Sequence, residues 1–375
     1  MIVKILHTGD LHLGAKFTGL GEKGKEQRLQ LLKTFEKVVN LAIEKKVHLF
    51  LIAGDLFDSN YPSRNTLDRV LHLFGIVREA NIPICLIPGT HDCYDATSIY
   101  RRFDFREAAP NLTIFTDKIT SKVFEKLNLT VYGRALTAKV VKESPLKDIS
   151  PQKGTALHVA MVHGSLEIPG KVERDGATFT PREIEKSRMN YIAMGHWHSY
   201  GDYSVHQTKA CYCGSPEAID IDQKGFGNVL FVTIKPDDLV KVEPQRVGLR
   251  NYEVIHIKVD DITSVGEILE AIKAKADPNL ILEVKLQGLC GFDLEIDTQE
   301  LEQELEPLFF RLRMINESHP KLKEIAVEDF PENMVIGKFI RLMKEKIKKS
   351  AGEEKEIAEE ALRLGVALLR GKEVL

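Results

Sequence analysis

Leu49-Phe50-Leu51-Ile52-Ala53-Gly54-Asp55-Leu56-Phe57-Asp58 is the stretch on which the reading of the fold turns. An apolar run that stops abruptly at Gly-Asp predicts a buried strand carrying a carboxylate to the edge of a sheet, within reach of a ligand. Alone, a Gly-Asp pair after a strand marks only a turn. Further strand ends bearing Asp or His make it part of a pattern.

Upstream, Ile2 to Thr8 is rich in β-formers and leads into Gly9-Asp10-Leu11-His12-Leu13-Gly14. In an extended segment the two-residue spacing would point Asp10 and His12 to one side. Leu32, Phe35, Val39 and Ile43 recur at helical spacing and predict a helix from about Gln27 to Lys45, so strand, helix and the Leu49 strand form a βαβ unit.

Downstream the pattern repeats. A helix from about Ser63 to Ala80 leads to a strand, Pro83 to Ile87, that ends in Pro88-Gly89-Thr90-His91-Asp92. A strand from Leu157 to Val162 ends at His163-Gly164, and another, Tyr191 to Met194, ends in Gly195-His196-Trp197-His198. After Gly214-Ser215-Pro216, Asn228 to Ile234 and Leu239 to Val247 predict a hairpin turning through residues 235–238. Alternation at Ile255, Ile257 and Val259 then opens a small α+β unit: a helical stripe from Val265 to Ile272, strands at Leu280 to Leu286 and Phe310 to Met314, and an acidic helix, Thr298 to Leu305. Beyond Pro331 two helices are predicted, with stripes Ile336, Phe339, Ile340, Met343, Ile347 and Ile357, Ala361, Leu364, Leu368, Leu369. The expected domains are 1–248, 249–328 and 329–375.

With 375 residues and 43% apolar content, the chain has material for two or three well-buried domains. No apolar run approaches the roughly 20 residues of a membrane span, and the N-terminus enters a strand without a signal-peptide design, so the expectation is a cytoplasmic protein with no membrane partner. Five scattered cysteines predict free thiols. A formal charge of −3 argues against coating nucleic acid by bulk electrostatics, but divalent cations in an acidic, histidine-rich cleft would reverse the local potential.

Asp10, His12, Asp55, His163, His196 and His198 stand at successive strand ends, which a doubly wound sheet would bring to one edge. Mixed oxygen and nitrogen donors suit manganese, iron or zinc rather than calcium. The set exceeds one tetrahedral site and fits two neighbouring ions sharing a carboxylate, an arrangement suited to phosphoester hydrolysis. His7, His48 and His72 are expected to be scaffold.

Gly-Asp-Leu-His, Gly-Asp-Leu-Phe-Asp, Pro-Gly-Thr-His-Asp, Val-His-Gly and Gly-His-Trp-His, in this order, resemble the motifs of the calcineurin-like metallophosphoesterases. Gly9-Asp-Leu-His-Leu-Gly14 and Tyr212-Cys-Gly-Ser-Pro-Glu217 are similar to the SbcD branch of DNA repair exonucleases, over about the first 245 residues. The resemblance implies an α/β fold of four layers, an α/β/β/α sandwich, with a small α+β capping domain and a C-terminal helical segment. It implies two divalent metal ions, with manganese expected. Asp10, His12 and His198 would hold one ion, His163 and His196 the other, and Asp55 would bridge them. His91 would be the non-ligand histidine that protonates the departing oxygen or stabilises the transition state, and Asp58 would orient it. Thr90 departs from the family's asparagine ligand. A hydroxyl is shorter and weaker, so the second ion is expected to be held more loosely.

The resemblance further implies 3′-to-5′ exonuclease and single-strand endonuclease activity in double-strand break repair, a homodimer, DNA as substrate and an SbcC-type SMC-like ATPase as partner. Lys16, Arg64, Arg101 and Arg102 are the candidate DNA contacts and the C-terminal helices the candidate docking element. The alternatives are an assembly subunit weakened in catalysis at Thr90 and a small-molecule phosphodiesterase.

Overall fold

The computed structural model describes residues 1–168, 177–223, 225–235, 239–291, 294–321 and 334–369. The chain divides into two compact units, Met1–Tyr252 and Glu253–Leu375. The centre of the expected turn, residues 236–238, and the expected boundary around residues 328–331 lie outside the described residues.

The first unit contains two six-stranded mixed sheets. In the first sheet the strands run in the order Val240–Arg246, Asn228–Ile234, Val3–Thr8, Leu49–Ala53, Ile84–Ile87, Leu112–Ile114. The last four are parallel, and the hairpin Asn228–Ile234 with Val240–Arg246 adds antiparallel to Val3–Thr8. In the second sheet the order is Gly201–Asp202, Lys209–Tyr212, Tyr191–Gly195, Leu157–His163, Leu129–Gly133, Thr120–Phe124, parallel at the centre and antiparallel at both edges.

Alternation along the strands explains how the sheets are stacked. Leu49 and Leu51 enter one core with Val159, Met161, Tyr191 and Ala193 of the second sheet, whereas Phe50 and Ile52 pack on the helices Gly24–Glu44 and Arg64–Glu79 through Phe35, Val38, Val70 and Phe74. All five residues of Leu49–Ala53 are therefore fully buried, which is why the stretch reads as an unbroken apolar run. Ala160, Val162, Ile192 and Met194 face the other way, onto the short helix Pro181–Ser187 and nearby loops. The ligand-bearing strand ends thus belong to two face-packed sheets and not to the single doubly wound sheet expected from the strand ends alone. The βαβ pattern is shared by both arrangements, and only the apolar inner faces, buried against each other, distinguish them.

In the second unit, Asn251–Lys258, Asp277–Gln287 and Phe309–Asn316 form a three-stranded sheet, with Val265–Lys273 and Thr298–Leu305 as helices. The final helices are Val335–Lys349 and Glu353–Leu369. Ile340 is buried in their contact, as expected, but the second helix presents Leu362 and Val366 to it and leaves Ile357, Leu368 and Leu369 exposed. Apolar residues occur on both sides of this helix, so its periodicity alone does not identify the packed face. All five cysteines are buried and unpaired by disulfides. Among the described residues no helix is long and apolar enough to cross a membrane.

Candidate metal centre

The C-terminal ends of the central strands of both sheets meet at one place. Gly54 and Gly195 allow this approach: a Cβ on Gly195 would collide with the Ala53 carbonyl oxygen, and one on Gly54 with the His163 imidazole. His163 Nδ1 donates to the Ala53 carbonyl at 2.9 Å, tying the second sheet to the first and leaving Nε2 as the ligating atom.

Asp10, His12 and Asp55 lie just past their strands with φ of 51°, 44° and 49°, and His196 has φ of 108°. Asp10 and His12 are therefore not neighbours on one face of an extended strand, as the spacing alone suggested. Val3–Thr8 ends before them, and left-handed turns bring the two side chains together. Non-glycine residues held in this region cost free energy that tertiary contacts must supply, and such residues cluster at functional sites. Here those contacts include Asp10 N to Gly54 O and His12 N to Asp55 O, both 3.0 Å.

Three sets of donors converge, each with its candidate ligand atoms within 4.8 Å of one another: Asp10, His12 and His198; Asp10, Asp55 and His163; and, at the rim, His12, Asp58 and the exposed His91. Asp55 Oδ2 stands between two imidazoles, 3.7 Å from His12 Nε2 and 3.2 Å from His163 Nε2. Thr90 Oγ1 donates to the same Asp55 oxygen at 3.0 Å and lies 3.4 Å from His163 Nε2. The His196 ring packs edge-on to His163 with centroids 5.2 Å apart, and its backbone N–H donates to both Asp10 oxygens at 2.9 and 3.0 Å. These clusters have the donor chemistry of a dinuclear metal site. The fit is marked by His12 Nε2, which is buried, faces Asp55 and has no hydrogen-bond partner.

The electrostatics match. Burial pushes the Asp10 carboxyl up to about 7, against the pull of His163 and with the push of Asp55. Burial opposes charge on Asp55 too, but His163, then His12 and His91, hold it well below the ordinary carboxylate range. Burial likewise works against an imidazolium at His163, and Asp55 outweighs it, bringing His163 up to about 9. Burial, reinforced by neighbouring histidines, lowers His196 to about 3 and His198 to about 4, leaving both neutral and ready to ligate. Cationic charge in this pocket would relieve the two buried carboxylates.

His91 borders the cluster with its side chain 45% exposed, while His12 and His163 are at 2% and 0%. Its backbone N–H donates to Asp55 Oδ1 at 2.7 Å, and its Nδ1 lies 3.2 Å from the Asp58 carbonyl oxygen and 3.8 Å from Asp58 Oδ1. The Asp58 carboxylate is nearer to His12 Nδ1, at 3.4 Å, so it serves two imidazoles rather than His91 alone.

Asp92 is not among the candidates read from the sequence. Fully buried, it accepts from Gly89 N at 2.8 Å, Phe57 N at 3.1 Å and the Tyr100 hydroxyl at 2.5 Å, fixing the Thr90-His91 loop against the Asp55 loop. Of its partners Gly89 and Tyr100 are close in sequence and Phe57 is 35 residues away, and its place in the Pro88-Gly-Thr-His-Asp92 run is the signal the sequence offers. His7 and His48 are scaffold as expected: His7 Nδ1 lies 2.7 Å from the Tyr191 hydroxyl and His48 Nδ1 accepts from Lys4 N at 3.0 Å.

The four basic candidates differ. Lys16 is exposed and lines a cleft that reaches Asp58. Arg64 is exposed and paired with Asp68 at 2.9 Å. The Arg101 guanidinium lies 4.0 Å over the Tyr94 ring. Arg102 donates to the carbonyls of Asn60 and Thr97 and lies 4.7 Å over the Tyr61 ring.

Residues 3–200 match the family model described as calcineurin-like phosphoesterase. The chain is 35% identical over 310 residues to the DNA double-strand break repair protein Mre11 of Saccharolobus solfataricus, covering 76% of each chain. It is 26% identical over 320 residues to the uncharacterized metallophosphoesterase YhaO of Bacillus subtilis, covering 81% of this chain and 76% of that one. To the SbcD component of the SbcCD nuclease of Staphylococcus epidermidis it is 23% identical over 399 residues, covering 92% and 97%. The Asp- and His-bearing strand ends and the matched model together make this chain a member of the calcineurin-like metallophosphoesterases, distantly related to the Mre11 and SbcD nucleases.

Proposed function

We propose that this protein is a manganese-dependent, two-metal DNA nuclease that works with an SbcC-type SMC-like ATPase in double-strand break repair, as a 3′-to-5′ exonuclease and single-strand endonuclease. The observation that carries the reading is the convergence of Asp10, His12, Asp55, His163 and His198 on shared ligand positions with His91 exposed at their edge. The names of the relatives supply the substrate class, since they are described as a DNA double-strand break repair protein and a nuclease. In this reading the first unit is a four-layer α/β/β/α sandwich, residues 249–328 are a capping domain, and the homodimer and partner follow the same relatives.

Asp10, His12 and His198 would hold one ion and His163 and His196 the other, with Thr90 beside them, and Asp55 would serve both. When bound, the ions polarise the phosphodiester and lower the pKa of an attacking water. His91 contributes the proton. With Nδ1 donating to the Asp58 carbonyl, Nε2 is the atom that passes a proton to the departing oxygen as the phosphorus–oxygen bond breaks. Its exposure lets it recover that proton from solvent, which the buried ligands do not do. Asp58 steadies His91 and His12 together, and Asp92 holds the loop that carries His91. Lys16, Arg64 and Arg101 make sequence-independent contacts to the DNA backbone.

The test is manganese-dependent cleavage of end-labelled linear duplex and of single-stranded circles by the wild-type protein and by His91→Ala. The expected loss is about 100-fold or more, and equal rates would overturn the assignment. Competition by long DNA against turnover of an aryl phosphodiester separates a nuclease from a small-molecule hydrolase. The exposed Leu342, Ile357, Leu368 and Leu369 suit the helical pair to docking on the ATPase. Deleting the residues after Pro331 is expected to abolish that complex and spare cleavage of short substrates.

A further inference from the structure

Tyr61 is 66% exposed, in the segment between Asp58 and the helix that Ser63 caps. An exposed aromatic ring is ordinarily free to reorient, but this one is held. The Arg102 guanidinium lies over its face, 4.7 Å from the ring centroid. Arg102 is itself fixed by donating to the Asn60 carbonyl and, at 2.8 Å, to the Thr97 carbonyl. Asn60 is buried, its side chain donating to the Cys93 carbonyl at 2.9 Å and accepting from Ile99 N at 3.1 Å. One face of Tyr61 is thus backed by a cation on a rigid support, and much of the ring remains in solvent.

The ring borders a cleft of about 750 Å³ whose lining includes Lys16, Phe17, Glu22, Lys25 and Asp58. Asp58 places the cleft directly beside His12 and His91. Its volume lies within the range of about 300–1,000 Å³ that suits a single small ligand, the size of one nucleotide. Lys16, Lys25 and Arg28 bring three cations against Glu22, Arg28 donating to the Ala15 and Lys16 carbonyls, while Asp58 is engaged by imidazoles.

We propose that this cleft is a subsite for one unpaired nucleobase flanking the cleaved phosphodiester, with Tyr61 as its stacking platform and Lys16 and Lys25 as contacts to the adjoining phosphate. The inference rests on the nuclease reading and names the form of its substrate at the site: a strand whose flanking base has left the duplex. Stacking on an aromatic face is sequence-tolerant because every base has a π-face, as a repair nuclease requires. Arg102 then acts as a positioning residue for Tyr61 rather than as a phosphate contact.

The experiment uses the full chain with manganese and 5′-labelled single-stranded oligonucleotides in which an abasic site is walked through the positions around the cleaved bond. In the wild-type protein one position next to that bond is expected to lower kcat/KM by about tenfold when its base is removed. Tyr61→Ala should lower kcat/KM on the intact strand by a similar factor and no longer distinguish the abasic strand. Tyr61→Phe should keep the discrimination. Thermal melts of the exposed-site variants monitor folding. Wild-type cleavage that is indifferent to every abasic position, or Tyr61→Ala that retains the discrimination, overturns the subsite and leaves the nuclease reading standing. Absence of manganese-dependent cleavage of any DNA by the wild-type protein overturns both.

Discussion

Asp10, His12, Asp55 and His163 are as deeply buried as Gln27, Thr34 and Glu217, yet the two groups differ in what surrounds their charges and in how completely the imidazoles are met. Around Glu217 the carboxylate is met on both oxygens. Oε1 accepts from Arg250 N at 2.8 Å and Ala218 N at 3.3 Å, and Oε2 from Leu249 N at 3.0 Å and from the Thr34 hydroxyl. Gln27 donates to the Ala218 carbonyl at 2.6 Å and accepts from Arg250 at 2.8 Å. At the strand ends the carboxylates are hydrogen-bonded too, Asp10 by His196 N and Asp55 by His91 N and the Thr90 hydroxyl. They nevertheless crowd each other, His12 Nε2 has no hydrogen-bond partner among the described residues, and the backbone is left-handed at Asp10, His12 and Asp55. The difference teaches what each cluster is for. A buried polar group that the chain satisfies by itself contributes stability and local order, whereas one that the chain leaves wanting is arranged for a ligand.

The largest expected effect that can break this comparison is at Asp10. Asp10→Asn should lower manganese-dependent cleavage by about 1,000-fold or more, since the ions' electrostatic contribution is worth several kcal/mol. The metal-free protein should nevertheless melt at the same temperature or slightly higher, because burial already pushes this carboxyl towards its neutral form. Thermal melts with and without manganese read both halves. A metal-free variant destabilised as much as one lacking Glu217 would erase the distinction.

Glu217→Ala is the converse case. It strands the N–H groups of Leu249 and Arg250 and the Thr34 hydroxyl in a dry environment, so the loss should be about 3 kcal/mol, or about 10 °C in melting temperature. Calorimetry checks it. Amide hydrogen exchange should quicken at Leu249 and Arg250, and unaltered exchange there would show that the carboxylate does not hold this segment.

Some of this was legible in the chain and some was not. The Leu49–Ala53 strand, the helix Thr298–Leu305 and the gathering of Asp and His at the strand ends could be read because each is a local pattern: an apolar run, an acidic helix, a Gly-Asp or Gly-His punctuation. Lys209–Tyr212 and the strands between Leu112 and Gly133 went unread: Lys-Ala-Cys-Tyr has no β-branched run, Thr120–Phe124 is a largely exposed edge strand, and Leu129–Gly133, though buried, is a short run of mixed character. The same limit applied at the site. Asp10 and His12 were found by their type and spacing, but not their left-handed geometry, which depends on hydrogen bonds to the Asp55 loop. Glu217 acts through partners on other elements, so its neighbours in sequence carry no sign of the role.

A smaller effect concerns pH. In the metal-free protein His163 is raised from 6.5 to about 9, chiefly because Asp55 outweighs the cost of its burial. A raised folded-state pKa gives stability that is complete below the unfolded value near 6.5 and is lost as pH climbs through about 9. The metal-free melting temperature should therefore fall between pH 7 and pH 9.5 by the equivalent of about 2 kcal/mol, roughly 5 °C. His163→Gln should remove that slope, and saturating manganese should also remove it, because a ligating imidazole is already neutral. A slope that persists in the variant would assign it to another group.

The smallest effect tests Thr90, where the two kinds of cluster come closest to each other. Its hydroxyl donates to Asp55 Oδ2 at 3.0 Å and lies 3.4 Å from His163 Nε2, so it satisfies one of the atoms that a second ion would need under the proposed assignment. At this point the chain partly fills its own ligand site. An asparagine side chain reaches further and offers a carbonyl oxygen, a better neutral donor to a divalent cation than a hydroxyl already spent on a carboxylate. Thr90→Asn should tighten the weaker of two manganese-binding steps by about three- to tenfold, the scale on which positions bordering a metal act, and leave the stronger step alone. Calorimetric titration distinguishes the steps. Two equally tight ions in the wild-type protein, or a variant with an unchanged second step, would mean that Asp55 and His163 hold the second ion without help from position 90.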